Sequence, residues 1–181
     1  MKRLLPLPFL LAALALPLSA APAQPGAVDF GTLLPPGSGG QFVEVNLQKH
    51  LIALAAKFVE QEEPEVAKLL NGLELVRVNV VEVSDKNREN VSERIQRIRK
   101  SLDGQGWERI VTVQEKDEQV GVYLRTREDK ALAGLFVMVM EGDEAIFVNI
   151  VGDITPEQIG VIAKRFHLEP LKKVTEAIEN G

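Results

Sequence analysis

Cysteine is absent from all 181 residues, and with it go disulfides, thiol catalysis and thiolate metal sites. Histidine occurs only at His50 and His167, without the paired spacing of a zinc ligand set. A zinc site here would need carboxylates to complete its shell. His50 reads as a helix-start residue. His167 reads as a helix-end residue, where a positive charge suits the negative pole. Beyond the first stretch of the chain the serines are Ser38, Ser84, Ser92 and Ser101, and none sits in a G-x-S-x-G elbow. The glycine cluster at 37 to 40, "GSGG", is followed by no Lys-Ser/Thr pair and lies among prolines, so it is no phosphate cradle. Excess positive charge is also missing: the net charge is −5. An acidic chain repels phosphate backbones, which excludes nucleic acid as a partner.

Long apolar runs are missing except at the start. Lys2 and Arg3 precede an apolar stretch from Leu4 to Leu18, and then comes "SAAPAQPG". Ala21-Pro22-Ala23 fits the small-x-small rule for signal cleavage, with Gln24 as the new first residue. The apolar stretch is broken by Pro6, Pro8 and Pro17 and is shorter than the roughly 20 residues that span a bilayer. The expectation is a cleaved signal peptide over 1–23, no remaining transmembrane helix, and a secreted or periplasmic protein. No Cys follows the run, which excludes a lipid-modified start. Residues 24–40, rich in Pro and Gly, read as a flexible tether. Residues 41–181 read as a single domain, large enough to need no staple.

Within that domain the hydrophobic period alternates between two and 3.6. "FVEVNL" predicts a first strand. Leu51, Leu54, Ala55, Phe58 and Val59 share one helical face. Pro64 predicts a break and restart, with Val66, Leu69 and Leu70 inward and Asn71-Gly72 ending the helix in the left-handed conformation. "LELVRVNVVEV", residues 73–83, is an alternating β-branched strand. Val91, Ile95, Ile98 and Leu102 form one helical stripe that Ser84 or Asp85 begins and Gly104 follows. Four strands are expected over 107–114, 119–126, 134–141 and 145–151, two of their connections being the polar turns "EKDE" and "EGDE". Thr155-Pro156-Glu157-Gln158 is a capping box with Pro at the first helical position. Ile159, Ile162, Ala163 and Phe166 continue it as a buried stripe, and Leu171, Val174 and Ile178 suggest a last short helix. The order β-α-β-α-β-β-β-β-α means an α+β fold: a mostly antiparallel sheet of about six strands with helices mainly on one face.

Three pieces carry a resemblance: "GLELVRV" after the first helix, Gly106-Trp107-Glu108 opening the third strand, and "FVNIVGDITPEQI". With the element order, they resemble an exported bacterial family, domain of unknown function family 4252, over roughly residues 45–166. The resemblance implies this fold and export. It implies no activity, catalytic residue or ligand.

Candidate chemistry is thin. Glu141, Asp143 and Glu144 in "EGDE", and Asp117 and Glu118 in "EKDE", sit at hairpin tips, where acids are solvated rather than paired for acid/base work. "EGDE" does not fit a twelve-residue calcium loop. Arg88, Arg94, Arg97, Arg99 and Lys100 alternate with Glu89 and Glu93 and read as a solvated helix face; weak attraction to anionic lipid is the lesser reading. Gly152-Asp153 reads as a turn before the Thr155 cap. No catalytic residue, metal or cofactor is expected.

One feature is left over. A sheet with one covered face should alternate apolar and polar, yet Leu135 to Met140 is apolar on both sides. The second face therefore needs a cover: the first or last helix, the tether, or another molecule. Its candidate contact residues are Arg77, Arg109, Tyr123, Arg125, Phe147 and Asn149. The expected function is a non-enzymatic binding or interaction module of the cell envelope, touching an unknown envelope protein or small ligand, or a second copy as a homo-oligomer. The alternative is a hydrolase or lyase that uses a carboxylate beside an arginine.

Overall fold

Strand β1 (Phe42–Gln48) opens the fold and is followed by helices α1 (Lys49–Val59) and α2 (Pro64–Gly72). The alternating segment forms β2 (Leu73–Glu82), and the stripe of Val91, Ile95, Ile98 and Leu102 forms α3 (Arg88–Asp103) with all four side chains buried. Strands β3 (Glu108–Gln114), β4 (Glu118–Thr126), β5 (Leu132–Glu141) and β6 (Glu144–Ile154) follow as a meander. The structure is a computed structural model that describes residues 24–31, 40–115, 118–127, 131–155 and 158–160. The expected signal peptide, the tip of "EKDE" and the helical stripe beyond Gly160 lie outside the described residues.

The six strands form one antiparallel sheet in the order β1-β2-β6-β5-β4-β3. The last described strand, β6, lies between β2 and β5. This explains why β5 and β6 are apolar on both sides: central strands of a sheet covered twice have no solvent face. Two of the three helices, α1 and α2, cover one face, and α3 covers the other. On the first face, Ile52 of α1 and Leu69 of α2 pack over Val76, Val148, Ile150, Leu135, Val137 and Val122. On the second, α3 packs over Tyr123, Phe136, Met138 and Phe147. Val28 and Phe30 belong to that same second core.

Packing decides which side α1 buries, and one local expectation is reversed. The face of α1 built from Leu51, Leu54 and Phe58 points outward, 43%, 52% and 78% exposed, while Ile52 and Ala56 are buried. Ile52, Ala56 and Val59 form a second apolar line on the same helix, so periodicity alone could not select between them. Gly72 ends α2, but not in the left-handed conformation. Its missing side chain instead admits the Asp153 carbonyl, which a Cβ at Gly72 would meet at 2.8 Å.

The glutamine arm of the Thr155 capping box forms, Thr155 donating its N–H to Gln158 Oε1 at 2.9 Å, while Gln158 donates its own N–H to the Thr155 carbonyl at 3.0 Å.

Candidate functional site

Strand register places the six candidate residues on one face. Arg77 of β2, Asn149 of β6, Phe136 of β5, Tyr123 of β4 and Arg109 of β3 are cross-strand neighbours in a single row. Phe147 lies in the adjoining row between Asn79 and Met138, and Arg125 stands opposite Gly134. The alternation that grouped them in the sequence is therefore correct. The face they share is covered in part by the chain's own residues. Tyr123, Phe147 and Asn149 are buried, the last two completely. Arg77 and Arg125 are half-buried, and Arg109 lies exposed at the rim.

The cover is α3 together with residues 24–31. Composition marks residues 24–40 as a tether, but Pro and Gly announce irregular backbone, not exposure. In "PGAVDFG" the alternating Val28 and Phe30 turn inward, and both are buried. The Phe30 ring meets those of Phe136 and Phe147 at centroid distances of 5.6 and 6.1 Å. This segment adds no strand to the sheet. Side chains hold its main chain instead. Asn149 accepts the Val28 N–H at its Oδ1 (2.9 Å) and donates from Nδ2 to the Gly26 carbonyl (2.9 Å) and to the Leu135 carbonyl (3.1 Å). Arg77 donates to the Val28 carbonyl at 3.2 Å, and its guanidinium lies 5.7 Å from the Phe30 ring centre. Arg94 of α3 donates to the Phe30 carbonyl, and Gln24 donates to the Glu74 carboxylate.

Arg94 thus departs from the solvated-face reading of its helix. Burial, and then the neighbouring Arg97, lower its pKa from the ordinary value, while Asp29 opposes them. Sequence reasoning missed Val28, Phe30 and Arg94. The available signal was the Val-x-Phe alternation inside the Pro/Gly-rich stretch.

The rest of the row is structural. Arg109 stacks 5.4 Å from the Tyr123 ring centre and pairs with Asp103 at 3.1 Å on the surface. Such an exposed pair contributes little. Among the described residues the buried Tyr123 hydroxyl finds no hydrogen-bond partner. Removing it leaves no partner stranded, so Tyr123→Phe is expected to stabilise the fold or leave it unchanged, within about 1 kcal/mol. Urea denaturation checks this; a loss of 2 kcal/mol or more would reveal a hidden partner.

Catalytic arrangements are few. Glu141 and Asp143 are exposed at the β5–β6 turn. Among the described residues no group of three His, Asp or Glu side chains is placed to share a metal ion. A cleft of about 220 Å³ is lined by Pro25, Glu74, Arg127, Ala133, Val151 and Gly152. It holds an acid and an arginine, but Gln24 engages Glu74, and Asp153 engages Arg127. Asp153 of the Gly-Asp corner therefore serves an ion pair.

A family model described as a domain of unknown function, DUF4252, matches residues 39–162. The chain belongs to this family. The match covers all six strands and α1 to α3, in agreement with the resemblance read from "GLELVRV", Gly106-Trp107-Glu108 and "FVNIVGDITPEQI". No curated protein and no solved structure matches the chain. Arg77, Arg94 and Asn149 thus fall inside the DUF4252 region, and the segment they grip falls outside it.

Proposed function

We propose that the protein is an exported, non-enzymatic interaction module that docks a partner on β1 and α1. The carrying observation is the placement of exposed apolar side chains. Val43, Leu47, Leu51, Leu54 and Phe58 are all exposed and all lie on β1 or the helix that follows it directly. A helix that turns Phe58 to solvent and keeps Ala56 inside is arranged for contact.

The partner's chemistry follows from β1 itself. Among the described residues β1 is an edge strand, seven residues long, regular in register and carrying a single charge, Glu44. The opposite edge, β3, is blunted by Glu108, Arg109 and a register shift beside them. An unprotected edge is a template for another strand. The fitting occupant is an extended, uncharged strand of an envelope protein, its alternate side chains meeting Val43, Leu47 and the α1 row. The carboxylate hydrolase or lyase gains no support, because the cleft that joins an acid to an arginine has both engaged. The export reading rests on the leader, Lys2 to Ala23. Among the described residues no helix is long and apolar enough to cross a membrane.

A photo-crosslinker at position 58 tests this, with Ile110 on the opposite edge as the control position. The expected result is a partner captured at 58 and not at 110, lost at least tenfold in Val43→Lys/Leu47→Lys. That partner, purified, should slow amide exchange in β1 but not in β3. Both substituted positions are exposed, so stability should change by only about 0.5 kcal/mol. A large loss of stability would instead assign the surface to the chain's own residues beyond Gly160, and a concentration-dependent dimer would assign it to a second copy. Equal capture at 58 and 110 would refute the surface.

A further inference from the structure

We propose that the groove between α3 and the β2-β6-β5 surface is a peptide-binding site for extended segments of the pattern Gly-x-aliphatic-x-aromatic. The chain fills it with its own residues 26–30 until a segment of that pattern displaces them.

The argument begins with how the groove holds its resident. Four hydrogen bonds reach residues 26–30 from the walls: Asn149 to both Val28 N–H and the Gly26 carbonyl, Arg77 to the Val28 carbonyl, and Arg94 to the Phe30 carbonyl. Every one goes to main chain. Groups that read only main chain are indifferent to most side chains, as in other extended-peptide sites. Asn149 is completely buried, so its amide is a built element of the groove and no passing surface contact.

Selectivity comes from three positions. Gly26 has φ +89°, and a Cβ there would fall on the Ala133 carbonyl. The strand beneath gives way as well: a Cβ at Gly134 would lie 2.8 Å from the Gly26 Cα and 2.9 Å from the Trp107 ring. The two glycines let main chain cross main chain. Val28 fills an aliphatic position, and Phe30 fills an aromatic one between Phe136, Phe147 and the Arg77 guanidinium. The side chain of Pro25 is exposed and carries no requirement, while the exposed Asp29 carboxylate adds a favourable charge beside Arg94.

Two further observations separate the resident from the groove. Residues 24–31 join no strand ladder, so no sheet pairing must break for them to leave. The matched DUF4252 region begins after them, while it contains all three gripping side chains. A short segment held by side chains and no ladder can open without unfolding the sheet beneath it.

The experiment uses the full chain with a protease site placed within residues 32–39, cut after folding. A fluorescent peptide of residues 24–31 is then added. The cut chain should bind it saturably. The uncut chain, whose own segment competes at a tether's high effective concentration, should bind at least tenfold more weakly. Peptides with Phe30→Ala or Gly26→Ala should lose binding at least tenfold, and Pro25→Ser should bind as the parent does. These changes lie in the peptide, so folding of the groove is not disturbed. Failure of the cut chain to exchange its segment would make residues 24–31 a fixed part of the fold and overturn the proposal. Equal binding of the Phe30→Ala and Gly26→Ala peptides would overturn it too. This site is distinct from the β1–α1 surface, so either can fail alone.

Discussion

Asn149→Leu is expected to lower stability by about 3 kcal/mol, near the upper end for a single polar substitution. The change keeps the approximate size of the side chain and removes every polar atom. The Val28 N–H loses its acceptor, and the Gly26 and Leu135 carbonyls lose a donor, all at a site closed to solvent. An orphaned buried group costs about 1–3 kcal/mol. The molecule can limit the loss by releasing residues 24–31, but that exposes Phe136 and Phe147. Urea unfolding should show the lower midpoint, and a dye for exposed apolar surface should bind the native variant more strongly than the parent. Unchanged stability would mean that the Asn149 amide holds nothing of consequence.

Gly152→Ala is expected to cost as much or more, about 3–5 kcal/mol, through backbone rather than side-chain loss. Gly152 sits at φ +150°, which residues with a Cβ rarely adopt. A methyl group there would collide with the Gly72 carbonyl and lie 2.7 Å from the Leu73 Cα. Both obstacles are main chain, at the shift in register between β2 and β6, so neither swings aside. A thermal melt would show the loss. A variant as stable as the parent would mean that this corner relaxes freely and that the tight approach of β2 and β6 is not required.

Much of this was legible in the sequence, for local reasons. The α3 stripe, the β2 alternation and the Gln158 arm of the Thr155 cap each depend on residues a few positions apart and form as read, although α3 begins at Arg88 after Asn87 rather than at Ser84 or Asp85. Leu135 to Met140, apolar on both sides, revealed a second covered face without contact to anything. It allowed the tether as one of several covers but could not select it. Val28 lies 121 positions from Asn149 and shares no periodic pattern with it. The side that α1 buries was not legible for a different reason. Two apolar lines overlap on one helix, and only packing against β1, β2 and α2 decides that Ile52 and Ala56 win. The six contact candidates were grouped correctly by alternation, since Arg77, Asn149, Tyr123 and Arg109 do share one row. Alternation shows which side a residue faces and is silent on what lies above it.

The two faces thus divide the work. The second is closed by residues 24–31 and α3, and the proposed contact surface lies on the outward side chains of β1 and α1. Hydrogen exchange at the Val28 amide tests the closure most directly. If Asn149 holds that N–H as described, the amide should exchange at least a hundredfold more slowly than an unstructured one, and Asn149→Leu should abolish the protection. Exchange at the unstructured rate in the parent protein would contradict it, leaving the Phe136–Phe147 surface without the cover assigned to it.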